Sequence, residues 1–160
     1  MSEPTSRTQR DIRQSKPFRS TAHEATIALV KTADDVRRHA DEFLAPHALT
    51  ATQYNVLRIL RGAGSKGIAT LEVADRLVQR APGITRLLDR LEAKGLVLRE
   101  RCPSDRRQVL CFTTPRSARL LESLDQGVAE FDERAMNALS DSEQGTLIGF
   151  LDRIRASLDG

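Results

Sequence analysis

Ile84, Leu87, Leu88 and Leu91 recur at i, i+3, i+4 and i+7, the spacing of one helix face. The spacing predicts a helix from Pro82 to Lys94, about 21 Å long. Pro82 suits a first helical position, where a fixed φ helps and a missing N–H costs nothing. Gly95 suits the position just past the end, behind the cation of Lys94. The opposite face carries Arg86, Asp89 and Ala93, flanked by Gln79, Thr85 and Arg90. Upstream, Val73, Ala74 and Leu77 predict a shorter helix over about 70–77, joined to the first by a tight turn. Downstream, LVLRER (96–101) alternates, with Leu96 and Leu98 set against Arg99 and Arg101, and QVLCFTT (108–114) is rich in β-formers. Between them CPSDRR reads as a turn ending in two arginines.

The same patterning extends outwards. Thr21 and Glu24 fit a capping box, and a helix is expected over about 21–44, stopping near Pro46. Its apolar positions, among them Leu29, Val36, Phe43 and Leu44, are scattered, so it needs a partner. Thr50 and Gln53 fit a second box before a helix carrying Tyr54, Val56, Leu57 and Leu60, with Gly62 as its end. Ser65–Gly67 reads as a loop, and Ile68 as a short bridge beside the hairpin. Thr114-Pro115 starts a long helix to about Leu139, with Leu120, Leu121, Leu124, Val128, Phe131 and Met136 inside. Ser140 and Glu143 open a last helix with Leu147, Phe150, Leu151 and Ile154. Residues 1–20 hold few apolar positions and spaced cations, and read as a disordered basic tail. Helix, turn, helix and basic-tipped hairpin is a winged helix-turn-helix order. The expected fold class is mainly α with a small β-hairpin wing, flanked by long terminal helices.

A helix with one apolar face and one Arg/Thr/Gln face suits packing on a core while entering a DNA major groove. Taken alone, it describes an ordinary surface helix better; the hairpin shifts the balance, because its tip would bring Arg106 and Arg107 to a DNA backbone or minor groove. Charge agrees. Residues 62–108 carry ten Lys/Arg against six acids, and residues 109–160 carry five against nine. A basic middle and an acidic end fit a molecule with one face toward phosphate.

Composition narrows the rest. With 39% hydrophobic residues in 160, the chain makes one domain with a Leu/Val/Ile/Ala core. No apolar run approaches membrane length and no signal peptide is evident, so a cytoplasmic location is expected. His23, His39 and His47 lack metal-ligand spacing. With no nucleophile motif or phosphate loop either, neither an enzyme nor a cofactor is expected. Cys102 and Cys111 flank the wing turn. Cys102 beside Arg99, Arg101 and Arg106 is either a partly exposed turn residue or a thiol of lowered pKa; Cys111 reads as a small core residue.

GITRLLDRLEAKGLVLRE followed by PSDRRQVLCFTTP resembles the recognition helix and wing of the multiple antibiotic resistance regulator (MarR) family. The family's Asp-x-Arg motif falls on Asp105 and Arg107, and its Leu-Thr-Pro on Thr113-Thr114-Pro115. The resemblance covers about 20–158. Thr113 stands for the usual leucine and Ser117 for the usual glycine, both at the wing-to-helix junction. The resemblance implies one domain over 21–160. Residues 21–45 and 115–160 would form dimerisation helices, and 46–114 the winged module. It implies a homodimeric regulator of palindromic double-stranded DNA, a repressor relieved by a small aromatic or phenolic ligand. The candidate DNA contacts are Ser65, Lys66, Gln79, Arg80, Pro82, Gly83, Thr85, Arg86, Arg90, Asp105, Arg106 and Arg107. The candidate ligand contacts are His39, Phe43, His47 and Tyr54. The rival expectations are a winged-helix module that binds protein, and a redox-responsive regulator using Cys102 and Cys111.

Overall fold

The computed structural model describes residues 6–79, 83–105 and 107–159. In chain order the helices are α1 (Arg7–Asp11), α2 (Thr21–Leu44), α3 (Ala51–Ala63), α4 (Thr70–Asp75), α5 (Ile84–Ala93), α6 (Pro115–Met136) and α7 (Asp141–Leu158). The strands are β1 (Ile68–Ala69), β2 (Val97–Arg101) and β3 (Val109–Thr113), in one antiparallel sheet with β3 central. The order is that of a winged helix-turn-helix module between long terminal helices.

The core is organised on α3. Val56, Leu57 and Leu60 are fully buried, and α3 touches α2, α4, α6 and β3. Val73 and Leu77, Leu88 and Leu91 of α5, Val97, Cys111, Leu121 and Leu124 close around them. Truncating such a leucine to alanine costs about 2–5 kcal/mol, so this cluster decides whether the winged module stands.

Capping chemistry sets most helix starts. Thr50 with Gln53, Thr114 with Ser117 and Ser140 with Glu143 form reciprocal capping boxes. The Asp41 carboxylate of α2 also accepts from Ala51 N–H at 2.6 Å, so α2 grips the first turn of α3. Arg61 and Asp125 pair in bidentate fashion, 2.9 Å at each contact, and tie α3 to α6. Ser117 is fully buried, and its hydroxyl accepts from Thr114 N–H at 2.9 Å. Thr114 in turn donates its hydroxyl to Gly95 O at 2.8 Å. The serine that stands for glycine thus completes a cap that welds the start of α6 to the end of α5.

Several expectations shift. The 1–20 segment is not wholly without structure: Ser6 caps α1, which packs on α2, and Gln9 is buried. The cap of α2 is Ser20 rather than Thr21, accepting from His23 N–H at 3.1 Å. Gly62 does not end α3; the helix runs to Ala63, and Gly64 at φ +60° stops it. Similarly α4 ends at Asp75 and α6 at Met136, each short of the expected bound. Leu98 faces out, 47% exposed, while Val97 is buried. Leu96 belongs to the C-terminal turn of α5, where its N–H reaches Leu91 O at 2.9 Å, so the strand's alternation begins one residue later.

Candidate nucleic-acid interface

The helix proposed to read DNA is α5. Leu88 and Leu91 are buried and Ile84 and Leu87 half-buried, so the apolar stripe is spent on the core. Thr85, Arg86 and Arg90 are exposed along the other side. Gly83 caps the N-terminus at φ +89°, a conformation open to glycine at no steric cost. Gly95 ends the helix at φ +67°, donating its N–H to Glu92 O at 2.8 Å beside the Leu96–Leu91 bond. That pair of bonds is a Schellman turn.

The C-terminal half of α5 is held from two sides. Lys94 Nζ donates to Ala48 O at 2.5 Å and Gln53 Oε1 at 3.3 Å, fixing it to the start of α3. Arg99 of β2 pairs with Glu92 at 2.5 Å and Asp89 at 2.6 Å. The bond to Glu92, more than any other influence, holds this guanidinium above its ordinary pKa. Arg99 therefore joins wing to helix and neutralises two acids of α5. Sequence alternation had given Arg99 no such role.

In the wing, Asp105 organises the turn between β2 and β3. One carboxylate oxygen accepts from Arg107 N–H at 3.0 Å and Arg107 Nε at 3.3 Å; the other accepts from Gln108 Nε2 at 3.3 Å. Gln108 N–H reaches Asp105 O at 2.9 Å. The Arg107 side chain is 93% exposed beyond that anchor. Ser65 and Lys66 are exposed in a short 3-10 turn after α3, and Gln79 is exposed before α5. Arg80, Pro82 and Arg106 lie outside the described residues. Asn55 of α3, which carries no sequence signal, accepts from Val78 N–H at 3.0 Å.

The two cysteines are separate in place and chemistry. Cys111 is fully buried and pairs in register with Arg99, whereas Cys102 N–H bonds Gln108 O at the strand end. Three residues of strand, about 10 Å, lie between their levels, beyond disulfide reach. The Cys102 thiol is held below its ordinary pKa by the Ser104 hydroxyl first, then by the Asp105 and Ser104 amides. Burial pushes the Cys111 thiol up.

Of the four candidate ligand contacts, His39 and Phe43 meet in one cleft of about 840 Å³ between α1, α2 and α6, where Phe43 stacks on Phe131 at 6.1 Å. His47 and Tyr54 do not line it. His47 sits exposed in the turn after α2, and Tyr54 packs against the core with its hydroxyl buried and unpaired. A second, more apolar cleft of about 560 Å³ runs from Leu29 and Val36 to Val78, Gln79 and Leu151. No group of three or more His, Cys, Asp or Glu side chains suited to a metal occurs among the described residues.

Comparison with known proteins places these features. The MarR family model matches residues 49–109, from the start of α3 into the wing. A MarR transcription factor from Planctomyces limnophilus is 40% identical, with a TM-score of 0.66 over 85% of this chain and 98% of that one. A mutant MarR from E. coli complexed with operator DNA is 30% identical, with a TM-score of 0.73 over 79% of this chain and 90% of that one. The HTH-type transcriptional regulator MhqR of Bacillus subtilis (strain 168) is 27% identical over 129 residues, 80% of this chain and 87% of its own length.

Proposed function

The chain belongs to the MarR family of DNA-binding transcriptional regulators, and from that premise we propose that it acts as a homodimeric repressor on a palindromic operator. Residues 46–114 read the DNA, and the helices of 21–45 and 115–160 make the dimer. The observation that carries the proposal is the α5–wing unit. A buried apolar stripe, a free Thr85/Arg86/Arg90 face and a carboxylate-anchored Arg107 are joined by the Arg99 pairs.

Each protomer sets α5 in a major groove. Arg86 and Arg90 meet bases or phosphates there, and Ser65, Lys66, Gln79 and Arg107 meet the backbone or minor groove. Gly83, Thr85 and Asp105, with Arg80, Pro82 and Arg106, complete the contact set. Two-fold symmetry puts two recognition helices about 34 Å apart, one DNA turn. A protein-binding winged module has no need of the exposed cations on α5 and at the wing tip. The offset of Cys102 from Cys111 along the strands argues against a switch that joins the two thiols.

A small aromatic or phenolic ligand relieves repression. The His39–Phe43 cleft supports that part, with Phe43 and Phe131 as an apolar wall beside Arg7, Lys31 and Arg134. No helix among the described residues is long and apolar enough to cross a membrane, and we place the protein in the cytoplasm, with its DNA.

Selection of bound duplexes from random DNA tests the operator: inverted half-sites about 10 base pairs apart are expected. Repeating it with Arg86→Ala should relax one position of each half-site, since an Arg–guanine pair carries about 1–3 kcal/mol of discrimination. A recovered site without two-fold symmetry would overturn the dimeric reading.

A further inference from the structure

We propose that Asn55 is a positioning residue for operator recognition, setting the turn from which α5 is launched. The two ends of α5 are held unequally. Its C-terminal half has the Gly95 turn, Lys94 bound to Ala48 and Gln53, and the Arg99 pairs with Asp89 and Glu92. Its N-terminus starts at Gly83 with no side-chain cap, yet that end carries Thr85 and Arg86.

On the approach to α5, Leu77 is 9% exposed and Val78 donates its N–H to Asn55 Oδ1 at 3.0 Å. The Val78 side chain is 86% exposed and supplies no packing anchor. Leu77 packs into the core, and the bond at Val78 adds a second, directional tie. Asn55 is well placed to give it: its neighbours Val56 and Leu57 are fully buried, and Asp41 and Arg61 hold α3 to α2 and α6. Val78 is thereby tied to an element that is itself packed in the core and bonded to α2 and α6. A misplacement of about 1 Å in a contact group loses geometry-dependent base reading while leaving phosphate attraction nearly intact.

The inference rests on α5 being the DNA-reading helix, so Arg86→Ala runs beside the Asn55 variants. The full chain is assayed against its selected operator and against random duplex, with melting temperature and Val78 amide exchange measured in parallel. Asn55→Leu removes the acceptor at similar size. It should lose about tenfold in operator affinity, keep its affinity for random duplex, and speed exchange at Val78. Asn55→Asp keeps an acceptor and should hold the operator-to-random ratio near that of the parent. Repulsion from DNA would rank the aspartate variant below the leucine variant; positioning ranks them the other way.

If Asn55→Leu lowers the melting temperature, Asn55→Ala, which adds no bulk, takes its place. An unchanged ratio in the leucine or alanine variant, or an aspartate variant as poor as leucine, overturns the proposal while Arg86→Ala still loses binding. If Arg86→Ala binds the operator as the parent does, the assignment of α5 fails instead, and the role of Asn55 falls with it.

Discussion

Asp105 and Arg107 are tied to one another at the wing tip, where Arg107 is the proposed DNA probe. The carboxylate accepts from Arg107 N–H and Nε and from Gln108 Nε2, so the base of the arginine is fixed while its end stays exposed. A pre-set arginine loses less side-chain entropy on entering a narrow minor groove, where the negative potential is strongest. We expect Arg107→Ala to weaken operator binding by tenfold or more, about 1.4 kcal/mol, with a shallower salt dependence and an unchanged preferred sequence. Asp105→Ala should weaken binding too, although it removes a negative charge near phosphate; tighter binding in that variant would refute the positioning role. The thiols give a second residue-scale test. Hydrogen bonds from Ser104 and the turn amides favour the Cys102 thiolate, while Cys111 is buried with its pKa raised. Iodoacetamide should therefore label Cys102 in the native protein and reach Cys111 only after unfolding, as peptide mass mapping would show.

At the scale of elements, the sequence carried most of what local rules control. Ile84, Leu87, Leu88 and Leu91 named the buried stripe of α5, and Gly95 its end, because periodicity and a left-handed stop are chain-local. Thr50, Thr114 and Ser140 named three helix starts for the same reason. Tertiary ties were not legible. Nothing near Asn55 foretells Val78, 23 residues on, and the pairs of Arg99 depend on which strand residue faces the helix. Leu98 failed because a helix-end motif claimed Leu96 and moved the strand's parity. Arg61–Asp125, 64 residues apart, is another such tie, and it makes stability depend on pH. The bond to Arg61 holds the Asp125 carboxyl below its ordinary pKa. A depressed carboxylate adds stability that is present above the unfolded pKa, near 4, and is lost as pH falls through the folded value. Asp125→Asn should thus melt lower than the parent at pH 7, and the gap should shrink in melts taken at progressively lower pH below the unfolded value. A gap that persists there would mean the pair matters through packing rather than charge.

The whole molecule is a winged module, basic over residues 62–108, carried on helices whose apolar surface one copy does not cover. In α7, Leu147 and Leu151 are half-buried, yet Ile148 is 59% exposed and Phe150 53%, and Leu158 is more open still. Apolar surface of this kind on a long terminal helix calls for a partner, and in the proposed dimer a second copy would supply one with two-fold symmetry. Such a dimer would have an energetic consequence that a single winged module cannot mimic. Once one α5 is seated, the second half-site meets its reader at high effective concentration, which raises affinity by about 10²–10⁴ without a new kind of contact. Placing Glu at both Ile148 and Phe150 sets like charges into that interface and should leave a folded monomer, seen by light scattering. Its operator affinity should fall by about that same factor, while its binding to an isolated half-site stays close to that of one parental subunit. The slope of log affinity against log salt should fall to about half, because one subunit releases half the counterions. If the doubly substituted chain stays dimeric and binds as the parent does, α7 is not the dimer surface. If it is monomeric yet binds the operator with parental affinity and slope, a single winged module suffices and the two-fold operator is wrong.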